Sequence, residues 1–379
     1  MDVYQELGVR PVINACGSAT IYGGSLMAPD VLETMRLAAQ QFCILDELHE
    51  KVGQKIASLL DVEAAYVTSS ASCGLVLTTA SCMAGADPDR IVQLPDTTGM
   101  KNEVVLQKVH RIAYDQALRV AGATLVEIAD RGTPPVEAMR AAINENTAAV
   151  FCLATAMGNP ASVPFEQVVD MAHAAAVPVI VDAASECPPL STLTHFSRAG
   201  ADLVIFSGGK SIMGPQSTGL IIGRRDLIQA CAANGNPNAA IGRPMKVSRD
   251  EIIAFVKALE LYLARDHDAD RKRWEDQLRH IDETLSDLAE VELEHFVKGE
   301  TYQVPMLHIR PAADISGAQI AAALKAGEPR IVIAEHFRAD GVVINPHMLQ
   351  PGQERIVAAR CKEVLTRLAR CRPRCQRPQ

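Results

Sequence analysis

The chain has 379 residues, 48% hydrophobic and 22% charged, with a formal net charge of −8. That length accommodates two domains, or a large domain with a smaller one, and the composition is that of a globular protein. The acidic balance and the lack of a basic stretch in the body of the chain argue against a nucleic-acid partner, and no run is long and apolar enough to span a bilayer. The first residues, MDVYQELGVRPVINACG, lack the basic-then-apolar layout of a signal peptide, so a cytoplasmic protein is expected. The ten cysteines, at 16, 43, 73, 82, 152, 187, 231, 361, 371 and 375, contain no CxxC pair. They read as reduced core residues, with no disulfide frame and no metal site. Five arginines gather between Arg367 and Arg377. A frayed terminus is the expectation there, with an anion-binding tail as the alternative.

From about residue 60 to 225, strand-like apolar runs alternate with helical patterns. Strands are expected at AAYVT (64–68), RIVQL (90–94), TLVEI (124–128), AAVFCLA (148–154), VPVIVDA (177–183), DLVIFS (202–207) and TGLIIGR (218–224). Helices such as YDQALRVAG, PVEAMRAAINEN and FEQVVDMAHAAA lie between them. Continuous apolar strands separated by helices imply a mainly parallel sheet covered on both faces. The run 218–224 follows 207 too closely for a helical crossover and is expected to be an antiparallel neighbour. A helical stretch follows over 247–288, opened by a Ser248/Glu251 capping box. The runs VPMLHIR, RIVIAEHF and GVVINPHML then alternate with helices and suggest a small α+β domain. The expected organisation is an N-terminal arm (1–20), a large domain (21–246), a linking helical region (247–288) and a small C-terminal domain (289–379).

The chemistry is suggested by DLVIFSGGKSIMGPQSTG, residues 202–219. Two glycines weaken a strand end, yet here they precede a lysine. An amine held at a sheet edge and partly desolvated becomes nucleophilic. Asp182 closes the apolar strand VPVIVDA, at the end of an open α/β sheet where ligands bind. A carboxylate there asks for a cation, and a protonated pyridine nitrogen is one. A lysine Schiff base with an acid on the ring nitrogen is the pattern of pyridoxal 5′-phosphate (PLP) sites. The stretch TSSASCGLVLTTASCMAG (68–85) offers hydroxyls at a helix start, which suits a phosphate. Ser70, Ala71 and Ser72 would line that cup, although Ser-capping alone gives the same pattern.

Taken in order, ELGVRPVINACGSAT, VIVDAA, SGGK followed by GPQSTGLIIGR, and IGRPMKVSRDEI resemble the fold-type I PLP enzymes. These have the aspartate-aminotransferase fold: a mainly parallel, mixed seven-stranded sheet covered by helices, plus a small α+β domain. The resemblance is to the branch of L-seryl-tRNA(Sec) selenium transferase and D-glucosaminate-6-phosphate ammonia-lyase, and it covers nearly the whole chain. It implies that Lys210 carries the cofactor and moves protons, and that Asp182 keeps the ring nitrogen protonated. It further implies that Ser207, Ser70 and Ser72 bind the phosphate, and that Ser217 or Thr218 reaches the phosphate of a second subunit across a homodimer interface. The residue stacked on the ring is expected in QKVHRIAYDQALRVAGA, as His110 with Gln107 as its rival. Asn14, Arg111 and Arg243 are the substrate-contact candidates.

The resemblance leaves several reactions at the α-carbon of a small amino acid or amino sugar acid. Elimination of a β-substituent is favoured; racemisation, aldol cleavage and transfer are alternatives, and a non-catalytic PLP-binding regulator is the competing class. The selenium transferase has an extra tRNA-binding domain that this acidic chain has no room for, so a small-molecule substrate is expected.

Overall fold

The run VIVD is buried along its whole length, and LVIFS at every position but the last, as strands must be when helices cover both faces of a sheet. The computed structural model describes residues 3–129, 135–289, 291–312, 314–335 and 337–370. The chain divides into two units, Ser25–Arg265, and Met1–Gly24 together with Asp266–Gln379. Its strands are β1 (Ile13–Ala15), β2 (Ala64–Thr68), β3 (Glu103–Gln107), β4 (Thr124–Ile128), β5 (Thr147–Leu153), β6 (Val179–Asp182), β7 (Leu203–Ser207), β8 (Gly219–Gly223), β9 (Val291–Phe296), β10 (Met306–Pro311), β11 (Ile331–Ile333) and β12 (Val342–Ile344).

The unit Ser25–Arg265 is built on a seven-stranded sheet in the order β2-β8-β7-β6-β5-β3-β4. Strand β8 runs antiparallel to both neighbours, and the remaining pairs are parallel. The mixed, mainly parallel sheet is therefore as expected. One expected strand is not there. Residues 90–94 fall in and just beyond a helix, Pro88–Gln93, because Asp87 accepts from the backbone N–H of Asp89 and Arg90, and Pro88 opens the first turn. The seventh strand is instead β3, EVVLQ. Alternation along the strands splits the core in two. Val105 and Val181 face one side with Ile56 and Phe255, while Leu106 and Ile180 face the other with Leu75 and Ile205. The Ser248/Glu251 capping box is formed and starts the helix Arg249–Ala264. A second helix, His267–Leu285, follows after Asp266 caps its first turn. The stretch 247–288 is thus two helices, and the boundary between the units falls between them.

In the other unit, β12-β10-β9 form an antiparallel sheet and β1 pairs parallel with β11, Ile13 beside Ile331. Leu278, Ile281, Leu307, Ile309 and Val357 share its core. RIVIAEHF yields only the three residues of β11, and GVVINPHML becomes β12 followed by a 3-10 turn at Pro346–Met348. Trp274 is buried and packs edge-on to His347, with ring centroids 5.1 Å apart. The helix Gln353–Arg370 takes in Arg367 and Arg370; the rest of the arginine-rich tail lies outside the described residues. Among the described residues no helix is long and apolar enough to cross a membrane.

Candidate active site

Cross-strand register gathers the strand ends at one edge of the sheet. Thr68 stands beside Gly219, Gly219 beside Ser207, Ile205 beside Asp182, and Asp182 beside Leu153. The turn after β7 needs its glycines for close approach. A Cβ at Gly208 would lie 2.1 Å from Thr218 Oγ1, and one at Gly209 would lie 2.4 Å from Gln216 Cα. The turn presents Lys210, half-buried, with Nζ donating to Ser185 Oγ at 2.8 Å.

Asp182 is 6% exposed, and its Oδ1 accepts from the Ala184 N–H at 3.0 Å. Burial pushes this carboxyl above the usual carboxylate range; the Ala184 hydrogen bond and the Lys210 ammonium pull the other way, and Glu186 adds to the rise. A buried acid in that condition gains most from a cation brought against it. Glu186 is also buried, and Thr155 Oγ1 donates to its Oε1 at 2.9 Å.

On the other side of Lys210, Ser70 caps the helix Ala71–Ala84, its Oγ accepting from the Cys73 N–H at 3.0 Å. Strand β8 lies tight against this helix start: a Cβ on Gly219 would be 2.5 Å from Ser70 C and 2.8 Å from Ala71 N. The hydroxyls of Thr68 and Ser69 are buried there without a hydrogen-bond partner among the described residues. Ser207 is half-buried at the end of β7, Ala71 is half-buried and Ser72 is exposed.

At the end of β3, His110 is locked at both ring nitrogens. Nδ1 accepts from the Leu153 N–H at 2.9 Å, and Nε2 lies 2.8 Å from Ser162 Oγ. Since Leu153 flanks Asp182, this ties the imidazole to the same strand end. Burial lowers its pKa to about 4, so the ring is neutral near pH 7. Gln107 is turned toward the Val163 N–H, which donates to its Oε1 at 2.6 Å.

Other candidates are committed elsewhere. Arg111 pairs with Asp115 and with Glu127 on β4, each at 2.5 Å. Thr218 is fully buried and donates to Pro215 O at 2.6 Å; Ser217 donates to the capping acid Glu251. Both hydroxyls of GPQSTG are thus used within the fold. Arg243 is exposed in the loop after the helix Arg225–Asn234. Asn14 belongs to the other unit, where its Nδ2 donates to Gly17 O and its Oδ1 accepts from the Cys16 N–H. Lys210, Asp182, His110, Ser207 and the Ser70 helix start therefore share one sheet edge. The sequence reading passed over three neighbours of theirs: Ser69, Ser185 and Glu186. The triple hydroxyl run Thr-Ser-Ser at the end of β2 was the available signal for Ser69.

These residues fit PLP. A buried acid answers a pyridinium, unpartnered hydroxyls and free N–H groups at a helix start answer a phosphate, and a lysine amine answers an aldehyde. Fold and site together define a PLP-dependent enzyme of fold type I. The chain belongs to the aminotransferase class-V family, whose model matches residues 38–240. It is 31% identical to the D-glucosaminate-6-phosphate ammonia lyase of Salmonella typhimurium (strain 14028s / SGSC 2262), over 96% of this chain and 98% of that one. It is also 31% identical to a 5'-C-glycyluridine monooxygenase-decarboxylase of a Streptomyces species, over 96% and 92%. An L-seryl-tRNA(Sec) selenium transferase of Nitratidesulfovibrio vulgaris is 27% identical over 67% of this chain and 56% of that one. Among solved structures, a D-glucosaminate-6-phosphate ammonia-lyase superposes with a TM-score of 0.82 at 29% identity, covering 97% of this chain and 99% of the other. A ureidoglycine-glyoxylate aminotransferase from Bacillus subtilis, at 15% identity and a TM-score of 0.62, shares the fold alone.

Proposed function

We propose that this protein is a PLP-dependent lyase that eliminates a β-substituent from a small 2-amino acid or amino sugar acid, releasing ammonia and a keto acid. The observation that carries the reading is the amine of Lys210 at one sheet edge with the buried carboxyl of Asp182. The whole-length similarity to an ammonia lyase supports the choice of reaction.

PLP, when bound, supplies an electrophilic aldehyde and a protonated ring that draws electrons from the bonds at the substrate's α-carbon. Asp182 would hold the ring nitrogen's proton. The helix start at Ser70, with Ser69 and Ser207, would hold the phosphate. Lys210 Nζ takes the α-proton as general base, and Ser185 Oγ keeps the amine oriented between turnovers. The neutral, doubly anchored His110 is suited to lie against the ring.

A homodimer is part of the proposal. Leu26, Leu37, Phe42 and Ile44 are exposed, Phe42 to 97%. The Arg249 guanidinium donates to the carbonyls of Ala39 and Gln41 and lies 5.4 Å from the Phe42 ring centre, so the aromatic is presented on an anchored loop. Such a patch suits a second copy of the chain.

The test is to load the protein with PLP and offer D- and L-amino acids, 2-amino sugar acids and their phosphates, with and without oxygen. The lyase gives ammonia and keto acid in equal amounts and consumes no oxygen. Loss of chirality without ammonia replaces it with a racemase, aldehyde release with an aldolase, and oxygen uptake with the oxidative chemistry named for the Streptomyces relative. A visible band that no amino acid shifts replaces it with a regulator. Lys210→Ala is expected to lose both the band of the lysine-bound cofactor and turnover; a variant that keeps both removes Lys210 from its role.

A further inference from the structure

The surroundings of His110 leave its ring one arrangement of protons. The Leu153 N–H donates and cannot accept, so Nδ1, 2.9 Å away, must offer it a lone pair. The proton of the neutral ring therefore sits on Nε2, and Ser162 Oγ, at 2.8 Å, accepts it. The Ser162 hydroxyl donates in turn to the Val163 carbonyl at 3.3 Å, and the Val163 N–H donates to Gln107 Oε1 at 2.6 Å. Ser162 is 5% exposed and held in a tight turn: its N–H donates to Asn159 O at 2.8 Å, and the Ala161 N–H to Asn159 Oδ1 at 2.9 Å. A chain of directed hydrogen bonds thus runs from His110 through residues 162 and 163 to Gln107, the last residue of β3. With both nitrogens bonded, the imidazole can neither rotate nor change tautomer without breaking a buried hydrogen bond. A second proton, on Nδ1, would face the Leu153 N–H.

We infer that Ser162 is a positioning residue for the cofactor: it fixes the plane and the tautomer of the His110 ring, so that an uncharged imidazole stands ready for the PLP ring before PLP binds. This rests on the reading that PLP lies at this sheet edge with its ring nitrogen at Asp182. Leu153, which holds Nδ1, is the cross-strand neighbour of Asp182. A ring set in advance loses no rotational freedom when the cofactor arrives. An imidazolium in the same place would repel the protonated pyridine ring. Gln107 supports the chain from its far end by holding the Val163 peptide.

The test first reads the ring itself, without cofactor. Protein isotope-labelled at its histidine nitrogens is followed by NMR at neutral pH, with His110→Gln locating the signal. The wild type is expected to show a bare Nδ1 and an Nε2 proton that exchanges slowly with water. The reverse tautomer, or a charged ring, overturns the inference. Ser162→Ala removes a single oxygen and should abolish the slow exchange. PLP is then titrated by its visible band into the wild type, Ser162→Ala, His110→Gln and the double variant. Ser162→Ala should weaken PLP binding about fivefold, as loss of one hydrogen bond does. With His110 already Gln it should cost no more than about twofold, because Ser162 acts through the ring. Equal losses in the two backgrounds reduce Ser162 to a structural residue and overturn the inference alone, as does undiminished affinity in Ser162→Ala. A wild type with the expected ring signals but no visible band when loaded with PLP overturns the cofactor reading and this inference together.

Discussion

Asp182 is costly until a cation meets it. Its carboxyl is raised above the usual range by burial, because its ionised form there is kept away from water. The native state holds this proton more tightly than the unfolded chain does. The group's contribution to stability therefore falls as pH rises through the ordinary carboxylate range. Asp182→Asn should raise the melting temperature of the cofactor-free protein by several degrees, about 2–4 °C per kcal/mol, and weaken PLP binding at least about tenfold. Thermal denaturation and a PLP titration check the two halves; undiminished affinity would remove Asp182 from its role. His110 has the opposite sign. Its pKa falls from 6.5 to about 4 on folding, so the unfolded chain takes up the proton first as pH drops. Stability is lost progressively across that window, roughly 2 kcal/mol between about pH 7 and about pH 5. Urea denaturation at both pH values should show this loss in the wild type and a smaller one in His110→Gln.

At the scale of elements, the site depends on how closely β8 approaches the helix Ala71–Ala84. Gly219→Ala sets a methyl against the backbone of Ser70 and Ala71, so the strand or the helix start must move. The expected cost is about 1–3 kcal/mol together with weakened PLP binding. Gly158→Ala, with nothing within 4 Å of the added carbon, should leave PLP binding unchanged; equal effects of the two substitutions would contradict the argument. Strands that run apolar without a break were legible in the sequence, since burial on both faces leaves no other pattern. EVVLQ was missed because RIVQL offered a similar run nearby, and only the Asp87–Pro88 start distinguished that run as a helix. VELEHF was missed because much of β9 faces solvent. The positions of Asp182 and Lys210 were legible because the first closes its strand and the second follows the glycine turn just beyond its own. The contact of Thr155 with Glu186 depends on β5 lying beside β6, and the loss of Arg111 to Glu127 depends on where β4 lies. Spacing along the chain encodes neither.

For the whole molecule, the proposed dimer is tested at its most exposed aromatic. Phe42→Asp puts a charge where a second copy would bury a ring and should shift the protein toward half its mass in sedimentation. A wild type that is monomeric at micromolar concentration would leave the patch without its proposed occupant. The two units also differ in continuity. Ser25–Arg265 is one uninterrupted segment, whereas the other unit draws on both ends of the chain. Among the described residues, β1 finds its only strand partner in β11. At about 5–20 residues per second on the ribosome, Ile13 therefore waits on the order of half a minute for Ile331 to be synthesised. A nascent chain that stalls in that interval carries a finished sheet behind an orphaned leading strand, which would expose it to chaperones and proteases.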